Sequence, residues 1–457
     1  MEETASVLLL LSISLLAGLV LSRLAKILKL PAVTAYLIAG VLIGPYALGQ
    51  LGALLGVNGL GFTATPNKTG GYTSEFLESF AILSDVALGF IAFSIGNEFR
   101  ISQLKKIGKQ ATIVGIFQAV FTTLVVDAVL ICLHFAMPNI LPLEVAIILG
   151  AIASATAPAA TLMVVKQYKA KGKVTDILLP VVALDDAVGL ILFAVSFGVA
   201  RGIASGSVDV ISIIVNPIIE IVGSLGLGAL MGYLFSFLER FFHSRSKRLA
   251  VSVGFVLLTI AFSKLKFNIG TIHIGFSPLL TCMMLGTIFC NICDFSEELM
   301  DRVDRWTAPL FIIFFVTSGA ELDLSVFTNI FIVLIGLTYI LSRSAGKYSG
   351  ALLSSKMAKC DDTIVKYLGI TLLPQAGVAL GMADMVKSSA EFGDTNIAQI
   401  VVSITLFAVL IYELVGPALT KMALTKAGDI NPEGRTSARH EHAKKKAHAK
   451  AHAQLGD

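Results

Sequence analysis

The sequence predicts an all-α polytopic membrane protein with about thirteen transmembrane helices. Composition, the spacing of apolar runs and the placement of basic residues each point to this fold class. Of the 457 residues, 55% are hydrophobic and only 14% are charged, and the mean hydropathy is +0.83. A soluble domain carries about 25% charged residues, so this chain is suited to lipid. The net charge of +4 gives no reason to expect nucleic-acid binding.

Apolar runs long enough to cross a bilayer recur along the chain. A spanning helix needs about 20 largely apolar residues. Thirteen runs of this kind lie at residues 5–23, 31–50, 76–98, 110–135, 142–165, 176–200, 208–237, 248–264, 270–292, 307–325, 329–355, 364–387 and 396–424. The first run lacks a basic n-region and a small-residue cleavage site, so we expect it to be retained as a helix.

Basic residues concentrate in the loops that follow odd-numbered runs. Lys166, Lys169, Lys171 and Lys173 follow the fifth run, whereas Arg201 alone follows the sixth. Cytoplasmic loops carry the excess of lysine and arginine. We therefore expect the N-terminus outside and the C-terminus in the cytoplasm, across a plasma or inner membrane. This arrangement requires an odd number of spans, which thirteen satisfies.

Residues 427–457 differ sharply in composition from the preceding membrane domain at residues 1–426. The stretch from His440 to His452 consists of histidine, lysine and alanine with one glutamate. We expect a cytoplasmic basic tail that is solvated or lies on anionic lipid headgroups. A pH-sensing or metal-binding role for its histidines is the alternative.

Two adjacent carboxylates, Asp185 and Asp186, lie near the middle of the sixth run. An aspartate at a helix centre costs about 2.5 to 3.5 kcal/mol to insert, so such residues usually face a cavity or a partner. Neighbouring helical residues point about 100° apart, and two like charges this close raise the proton affinity of at least one. A carboxylate binds either a proton or a small hard cation, and this competition predicts exchange of one for the other. The alternative is a pair of acids that only joins neighbouring helices.

Two basic residues, Arg343 and Lys347, lie within the eleventh run. A permanently charged guanidinium needs a partner inside the membrane, so Arg343 is expected to pair with one of the aspartates. Lys347 is one turn nearer the cytoplasmic end. We expect its ammonium group to extend towards the interface, with a role in the site as the alternative.

The fifth and twelfth runs, at about 142–165 and 364–387, each contain a central proline. Pro158 follows small and hydroxyl residues, and Pro374 is followed by Gln375. Proline removes a backbone donor, and such a break survives in lipid only where it is buried or lines a cavity. Two interrupted helices at corresponding places in inverted repeats indicate a transporter's midplane site. Two ordinary proline kinks are the alternative.

Five segments together resemble the monovalent cation:proton antiporter-2 family, whose members include sodium/proton antiporters with an Asp-Asp motif. They are residues 30–45, 90–99, the Asp185-Asp186 pair, 314–323 and 372–380. The resemblance implies the sodium/proton antiporter fold, in which inverted repeats place two broken helices across each other. It also implies dimerisation helices interleaved with a six-helix core, an elevator-like movement of that core, and a homodimer.

The resemblance also implies roles for individual residues. Asp186 is expected to be the principal cation and proton carrier, and Asp185 the partner of the basic residue in the eleventh helix. Thr156 and Ser154 are expected to supply oxygens, which places sodium at Asp186, Asp185 and Thr156. Electrogenic relatives carry a lysine where Arg343 is expected to fall. Because arginine does not release its proton, we expect one-for-one, electroneutral exchange of sodium or lithium for protons.

Three other functions are compatible with the same residues. One is a potassium/proton antiporter on the same scaffold. The others are a cation channel that uses the aspartates as a selectivity element and a membrane sensor that binds ions without moving them. No nucleophile–base constellation and no His-Glu-x-x-His motif is present, so we expect neither an enzyme nor a cofactor.

Overall fold

The fold is known from a computed structural model. It describes residues 3–28, 30–56, 61–66, 72–97, 99–138, 140–205, 210–265, 267–269, 272–293, 295–322, 324, 328–387, 389, 392 and 396–430. Within these ranges the side chains of several short stretches, such as 102–107 and 210–217, and that of Asp186 lie outside the description. The tail histidines considered above, from His440 onwards, lie outside the described residues.

The described chain is almost entirely helical. The helices are α1 (Glu3–Ile27), α2 (Ala32–Ile43), α3 (Leu48–Leu55), α4 (Glu75–Asn97), α5 (Ile101–Ala136), α6 (Leu143–Ile152), α7 (Pro158–Tyr168), α8 (Lys173–Ser205), α9 (Val210–Glu239), α10 (Arg245–Ser263), α11 (Pro278–Ile292), α12 (Ser296–Ala320), α13 (Ile330–Met357), α14 (Asp362–Thr371), α15 (Gly377–Lys387) and α16 (Asn396–Lys426). Two short antiparallel hairpins accompany them: β1 (Thr65–Pro66) with β2 (Tyr72–Thr73), and β3 (Phe267–Ile269) with β4 (Ile272–Ile274).

Every apolar run expected from the sequence contains one helix or a pair of shorter ones. Nine helices within the described ranges are long and apolar enough to span a membrane by themselves. The nearly all-helical, multi-pass class is therefore confirmed, whereas the count of thirteen spans stays a prediction. The second run holds α2 and the start of α3, and residues 44–47 separate the two helices.

Several expected boundaries were wrong. The ninth run was expected to be helical from residue 270, but β3 and β4 precede a helix that begins at Pro278. Ser277 caps this helix by accepting a hydrogen bond from the Leu280 amide, and Pro278 needs no hydrogen-bond acceptor in the first turn. The tenth run was expected to begin at residue 307, but α12 begins at Ser296. Its first turns carry charged residues, which an apolar criterion does not detect.

The helices form two groups by their packing. The core group comprises α5, α6, α7, α8, α13, α14, α15 and α16. The flanking group comprises α1, α2, α4, α9, α10, α11 and α12. Glycines bring α13 close to α5 within the core group, because a Cβ on Gly350 would lie 3.2 Å from the Cα of Gln118.

One end of the molecule gathers the loops that are rich in lysine and arginine, and we call it the basic end. Ion pairs and hydrogen bonds connect these loops across helices. Arg100 after α4 pairs with Glu297 of α12 at 3.0 Å, and Lys173 of α8 pairs with Asp361 before α14 at 2.6 Å. The Lys171 amide donates to the Asp429 carbonyl after α16 at 2.9 Å. The alternation of basic loops along the sequence thus corresponds to one physical end.

Two glycines let α2 and α12 touch along their backbones in the flanking group. A Cβ on Gly40 would lie 2.0 Å from the Val316 carbonyl oxygen, and one on Gly319 would lie 2.2 Å from the Leu37 carbonyl oxygen. Neither atom belongs to a flexible side chain. The two helices would therefore have to separate to accept even a methyl group.

Replacing Gly40 with alanine is expected to destabilise the protein by about 1 to 3 kcal/mol, the usual cost of overpacking. Gly254→Ala in α10 is the matched control, because a Cβ at Gly254 meets no atom within 4 Å. Alanine also favours a helix over glycine by about 1 kcal/mol, so the control should be neutral or stabilising. Thermal unfolding of both purified variants measures the difference. Equal melting temperatures for Gly40→Ala and the wild type would contradict the close contact.

Candidate ion-binding site

Two interrupted helices meet in the centre of the core group. The first interruption separates α6 from α7 at residues 153–157, and the second separates α14 from α15 at residues 372–376. The Ala157 amide donates to the Pro374 carbonyl at 2.8 Å, so the two breaks are joined directly. Gln375 Nε2 donates to the Ile152 carbonyl at 3.0 Å and to the Tyr339 hydroxyl at 2.9 Å.

The local sequence accounts for both breaks. Pro158 stands at the first position of α7, where a missing amide hydrogen costs nothing. The residues before it are small, which allows the second break to cross at hydrogen-bonding distance. Carbonyl groups freed by such breaks need donors in a buried site, and nearby side chains supply them.

Arg343 is one of these donors, and its role differs from the expected one. Its guanidinium donates to the carbonyls of Ala153 at 2.9 Å, Ala155 at 2.6 Å and Leu373 at 2.7 Å. It also stacks on the Tyr412 ring at 4.5 Å. These carbonyls follow the C-termini of α6 and α14, where the helix dipoles place partial negative charge. Arg343 therefore bridges the two breaks. It was expected to pair with one of the two aspartates, and the described contacts do not pair it with Asp185.

Lys347 is the charge partner of Asp185. Its Nζ lies 2.7 Å from Asp185 Oδ2, and both side chains are 0% exposed. It also donates to the Ser154 carbonyl at 2.5 Å and to Thr156 Oγ1 at 2.9 Å. The expectation that Lys347 extends towards the interface was therefore wrong. The breaks lie level with its ammonium group and supply it with acceptors, so it remains inside.

Asp185 receives two further hydrogen bonds. Thr156 Oγ1 donates to Oδ2 at 2.5 Å, and Gln118 Nε2 of α5 donates to Oδ1. Gln118 was not among the residues singled out from the sequence, because attention to ionisable groups passes over a neutral amide. An amide within the apolar run 110–135 was the available signal. Its Oε1 is buried and has no hydrogen-bond partner among the described residues.

The other expected site residues are placed around this centre. The Ser154 hydroxyl donates locally to the Ala151 carbonyl at 2.7 Å and does not reach Asp185, although the Ser154 carbonyl accepts from Lys347. Asp186 is the next residue of α8, and its side chain lies outside the described part.

The Lys347 ammonium group lies in a nest of oxygen atoms. The Asp185 carboxylate, the Thr156 hydroxyl and the Ser154 carbonyl surround the Lys347 ammonium group with oxygens. Oxygen ligands of this kind are those that small hard cations prefer. A metal cation that enters would compete with Lys347 for the same atoms. The fold and the site thus define a multi-pass membrane protein that places a buried lysine–carboxylate pair among oxygen ligands, where two interrupted helices cross.

Comparison with known proteins agrees with this class. Residues 11–425 match the family described as sodium/hydrogen exchanger, transmembrane. The chain belongs to the sodium/hydrogen exchanger family. It is 27% identical over 319 residues to the high-affinity Na(+)/H(+) antiporter NhaS3 of Synechocystis sp.. That match covers 65% of this chain and 64% of the relative, which is less than two thirds of its length.

Solved structures show the same fold. Two structures of the sodium proton antiporter MjNhaP1 from Methanocaldococcus jannaschii superpose with TM-scores of 0.66 and 0.70. Their sequence identities to this chain are 20% and 18%, and they cover 93% and 94% of it. The aligned regions cover 99% and 100% of those chains. The expected sodium/proton antiporter fold is therefore confirmed.

Proposed function

We propose that this protein exchanges sodium ions for protons across a membrane by alternating access. The observation that carries the proposal is the fully buried ion pair between Lys347 and Asp185 at the crossing of the two breaks. A buried charge pair costs desolvation energy and is weak evidence for stability alone. Its position beside hydroxyl and carbonyl oxygens supports a functional role. Membership of the sodium/hydrogen exchanger family supports sodium and protons as the two substrates.

In the proton-loaded form, Lys347 carries its proton and neutralises Asp185. The hydrogen bonds from Thr156 and Gln118 hold the carboxylate in place while the ammonium group occupies the site. Arg343 keeps the two breaks together throughout the cycle, because its three acceptors are backbone carbonyls that do not titrate. Arg343, which is permanently charged, therefore maintains the scaffold. Lys347, which can lose its proton, takes part in the exchange.

When sodium enters, it takes the oxygens of Asp185 and Thr156 and displaces the Lys347 ammonium group. A lysine that has lost its carboxylate partner in a low-dielectric site releases its proton more readily. Asp186, adjacent on α8, completes the expected sodium site and is proposed to carry a proton of its own. Sodium and protons then exclude one another, and this competition couples their opposite movements.

The position of Lys347 also changes the expected stoichiometry. One-for-one exchange was expected because an arginine was placed beside the aspartates. With Lys347 in that place, both Lys347 and Asp186 can release protons. We therefore propose that two protons move for each sodium ion, so that each cycle moves one net charge.

The remaining assignments follow from the same proposal. The basic end faces the cytoplasm of a plasma or inner membrane, so the N-terminus is outside and the C-terminus inside. The active form is a homodimer in the lipid bilayer, formed through the flanking group. Lithium is expected to replace sodium, because it is also a small cation that binds oxygen.

The test is transport by the purified protein in liposomes that carry a pH gradient and a luminal pH dye. We expect sodium or lithium to dissipate the gradient in the wild type and not in Asp186→Asn. Asp85→Asn is the matched control, because Asp85 pairs with Lys264 away from the site and should transport normally. Clamping the membrane potential with valinomycin and potassium should accelerate exchange if net charge moves.

Other results of the liposome assay would indicate other functions. Dissipation by potassium alone would indicate the potassium/proton antiporter. Sodium flux that does not depend on protons would indicate the channel. The absence of any cation-dependent pH signal in the wild type would overturn exchange and leave the channel or the sensor. Exchange that is unaffected by the clamp would restore one-for-one stoichiometry.

A further inference from the structure

The half-helix α7 connects the ion site to the surface between the two groups. It begins at Pro158, directly after the break that carries Thr156, and ends at Tyr168 near the basic end. One side of it, including Ala159 and Leu162, packs in an apolar cluster with residues of α2, α4 and α12. Another side, including Val164 and Val165, packs within the core group. Movement of the ion site relative to the flanking group would therefore move α7.

Three consecutive residues in the last turn of α7 each bond to the flanking group. Lys166 Nζ lies 2.6 Å from Asp304 Oδ1 of α12. Gln167 Oε1 accepts from the Ala32 amide, the first of α2, at 2.8 Å. The Tyr168 hydroxyl donates to the Leu30 carbonyl at 3.3 Å.

Asp304 is the flanking-group partner of Lys166. Ser94 Oγ of α4 also donates to Asp304 Oδ1, at 3.4 Å, so α4 and α12 present one carboxylate together. The side chains of Lys166 and Asp304 are 23% and 36% exposed. The pair thus stands at the edge of the interface, where water can replace either partner when they separate.

We propose that Lys166 and Asp304 form a latch that holds the basic end closed, and that the latch opens in each transport cycle. The inference rests on the proposed function, because only alternating access requires the two groups to move past each other. Hydrogen bonds and ion pairs are short-ranged, so a displacement of a few ångströms breaks all three contacts of the last turn together. The latch belongs to the closed conformation alone and therefore sets how often this end opens.

A cysteine placed at Leu162 reports opening without any need for transport. Leu162 is 1% exposed between the two groups, so a water-soluble charged thiol reagent reaches it only when they separate. The full-length protein in lipid nanodiscs would carry Leu162→Cys alone or with one latch variant. Mass spectrometry of the peptide that contains position 162 measures its labelling rate, so the native cysteines can remain.

We expect Asp304→Asn and Lys166→Gln each to raise the labelling rate about two- to fivefold, the range that a part-exposed ion pair contributes to an equilibrium constant. The charge swap Lys166→Asp with Asp304→Lys should return the rate towards that of the reporter alone. Asp361→Asn is the matched control, because it removes an equally short pair with Lys173 within the core group. Hydrogen bonds from Lys173 and Thr363 lower the pKa of Asp361 to about 2, so this pair is fully charged at neutral pH.

Unchanged labelling in both single variants would overturn the latch, as would an equal increase in Asp361→Asn. Monodisperse elution of each nanodisc sample shows that the variants fold, and the charge swap provides a second test if one single variant does not. Failure of the proposed function would appear separately, as the absence of cation-dependent proton movement in liposomes. The labelling rates remain interpretable in that case.

Discussion

Asp185→Asn and Lys347→Gln are each expected to abolish exchange. Each should also lower the free energy of unfolding by about 3 to 5 kcal/mol, because one member of a buried ion pair is left without its partner. Both side chains are 0% exposed, so water cannot compensate for the lost charge. In Asp185→Asn the lysine loses the carboxylate that lies 2.7 Å from its Nζ. In Lys347→Gln the carboxylate keeps the donors Thr156 and Gln118 but loses its positive partner.

The double variant Asp185→Asn with Lys347→Gln separates stability from transport. It contains no buried charge at this position, and its two amides can hydrogen-bond to each other. We expect it to unfold at a higher temperature than either single variant and still to show no exchange. Thermal unfolding and liposome transport of all four proteins form a double-mutant cycle, in which the non-additive part of the stability change measures the pairing.

Two outcomes would contradict this account of the pair. Additive stability losses in the double variant would show that the two charges do not stabilise each other. Residual sodium-dependent exchange in Lys347→Gln, with electroneutral behaviour under the potential clamp, would show that Lys347 is not a proton carrier. The second outcome would leave Asp186 as the carrier and restore the stoichiometry expected from the sequence.

Arg343→Gln is expected to lower the free energy of unfolding by at least about 3 kcal/mol, because several buried carbonyls lose a charged donor. The Ala153, Ala155 and Leu373 carbonyls belong to both breaks, so the loss also loosens their crossing. Thr156 lies within the first break. Sodium affinity should therefore fall as well as stability.

Arg343→Lys provides the decisive comparison, because it keeps the charge and removes the planar fork. A single ammonium group cannot reach three carbonyls with the geometry of a guanidinium. We expect stability between those of the wild type and Arg343→Gln, measured by thermal unfolding. The control is Arg302→Gln, which removes an exposed contact with Glu298 at the basic end. Wild-type stability in Arg343→Lys would show that charge alone maintains the crossing.

Much of the scaffold could be predicted from the sequence because lipid imposes simple rules. Apolar length identified the segments, and the two central prolines identified which segments are interrupted. The start of α12 at Ser296 was missed because this helix extends beyond the apolar region. The start of α11 was missed because a hairpin precedes its cap, Ser277. In both cases the deciding interaction is local hydrogen bonding or charge, which hydropathy does not record.

The pairing within the site could not be predicted by the same rules. Arg343 and Lys347 are four residues apart and therefore lie on one face of α13, separated by a single turn. Which of them meets Asp185 depends on the level at which the two breaks cross, and only the assembled fold sets that level. The number of donors was a usable signal, since five N–H groups suit several carbonyls and an ammonium suits one carboxylate. The signal from Gln118 was weaker, because an amide within an apolar run does not indicate which other helix it contacts.

The half-helix α7 links the opening of the latch to sodium binding at the ion site. One end follows the break that holds Thr156, and the other end carries Lys166. If opening at the latch changes the affinity of the site for sodium by some factor, sodium must change the opening equilibrium by the same factor, because linked equilibria are reciprocal. The labelling rate at position 162, measured with and without sodium, would therefore report the ion occupancy of a site that the reagent never touches.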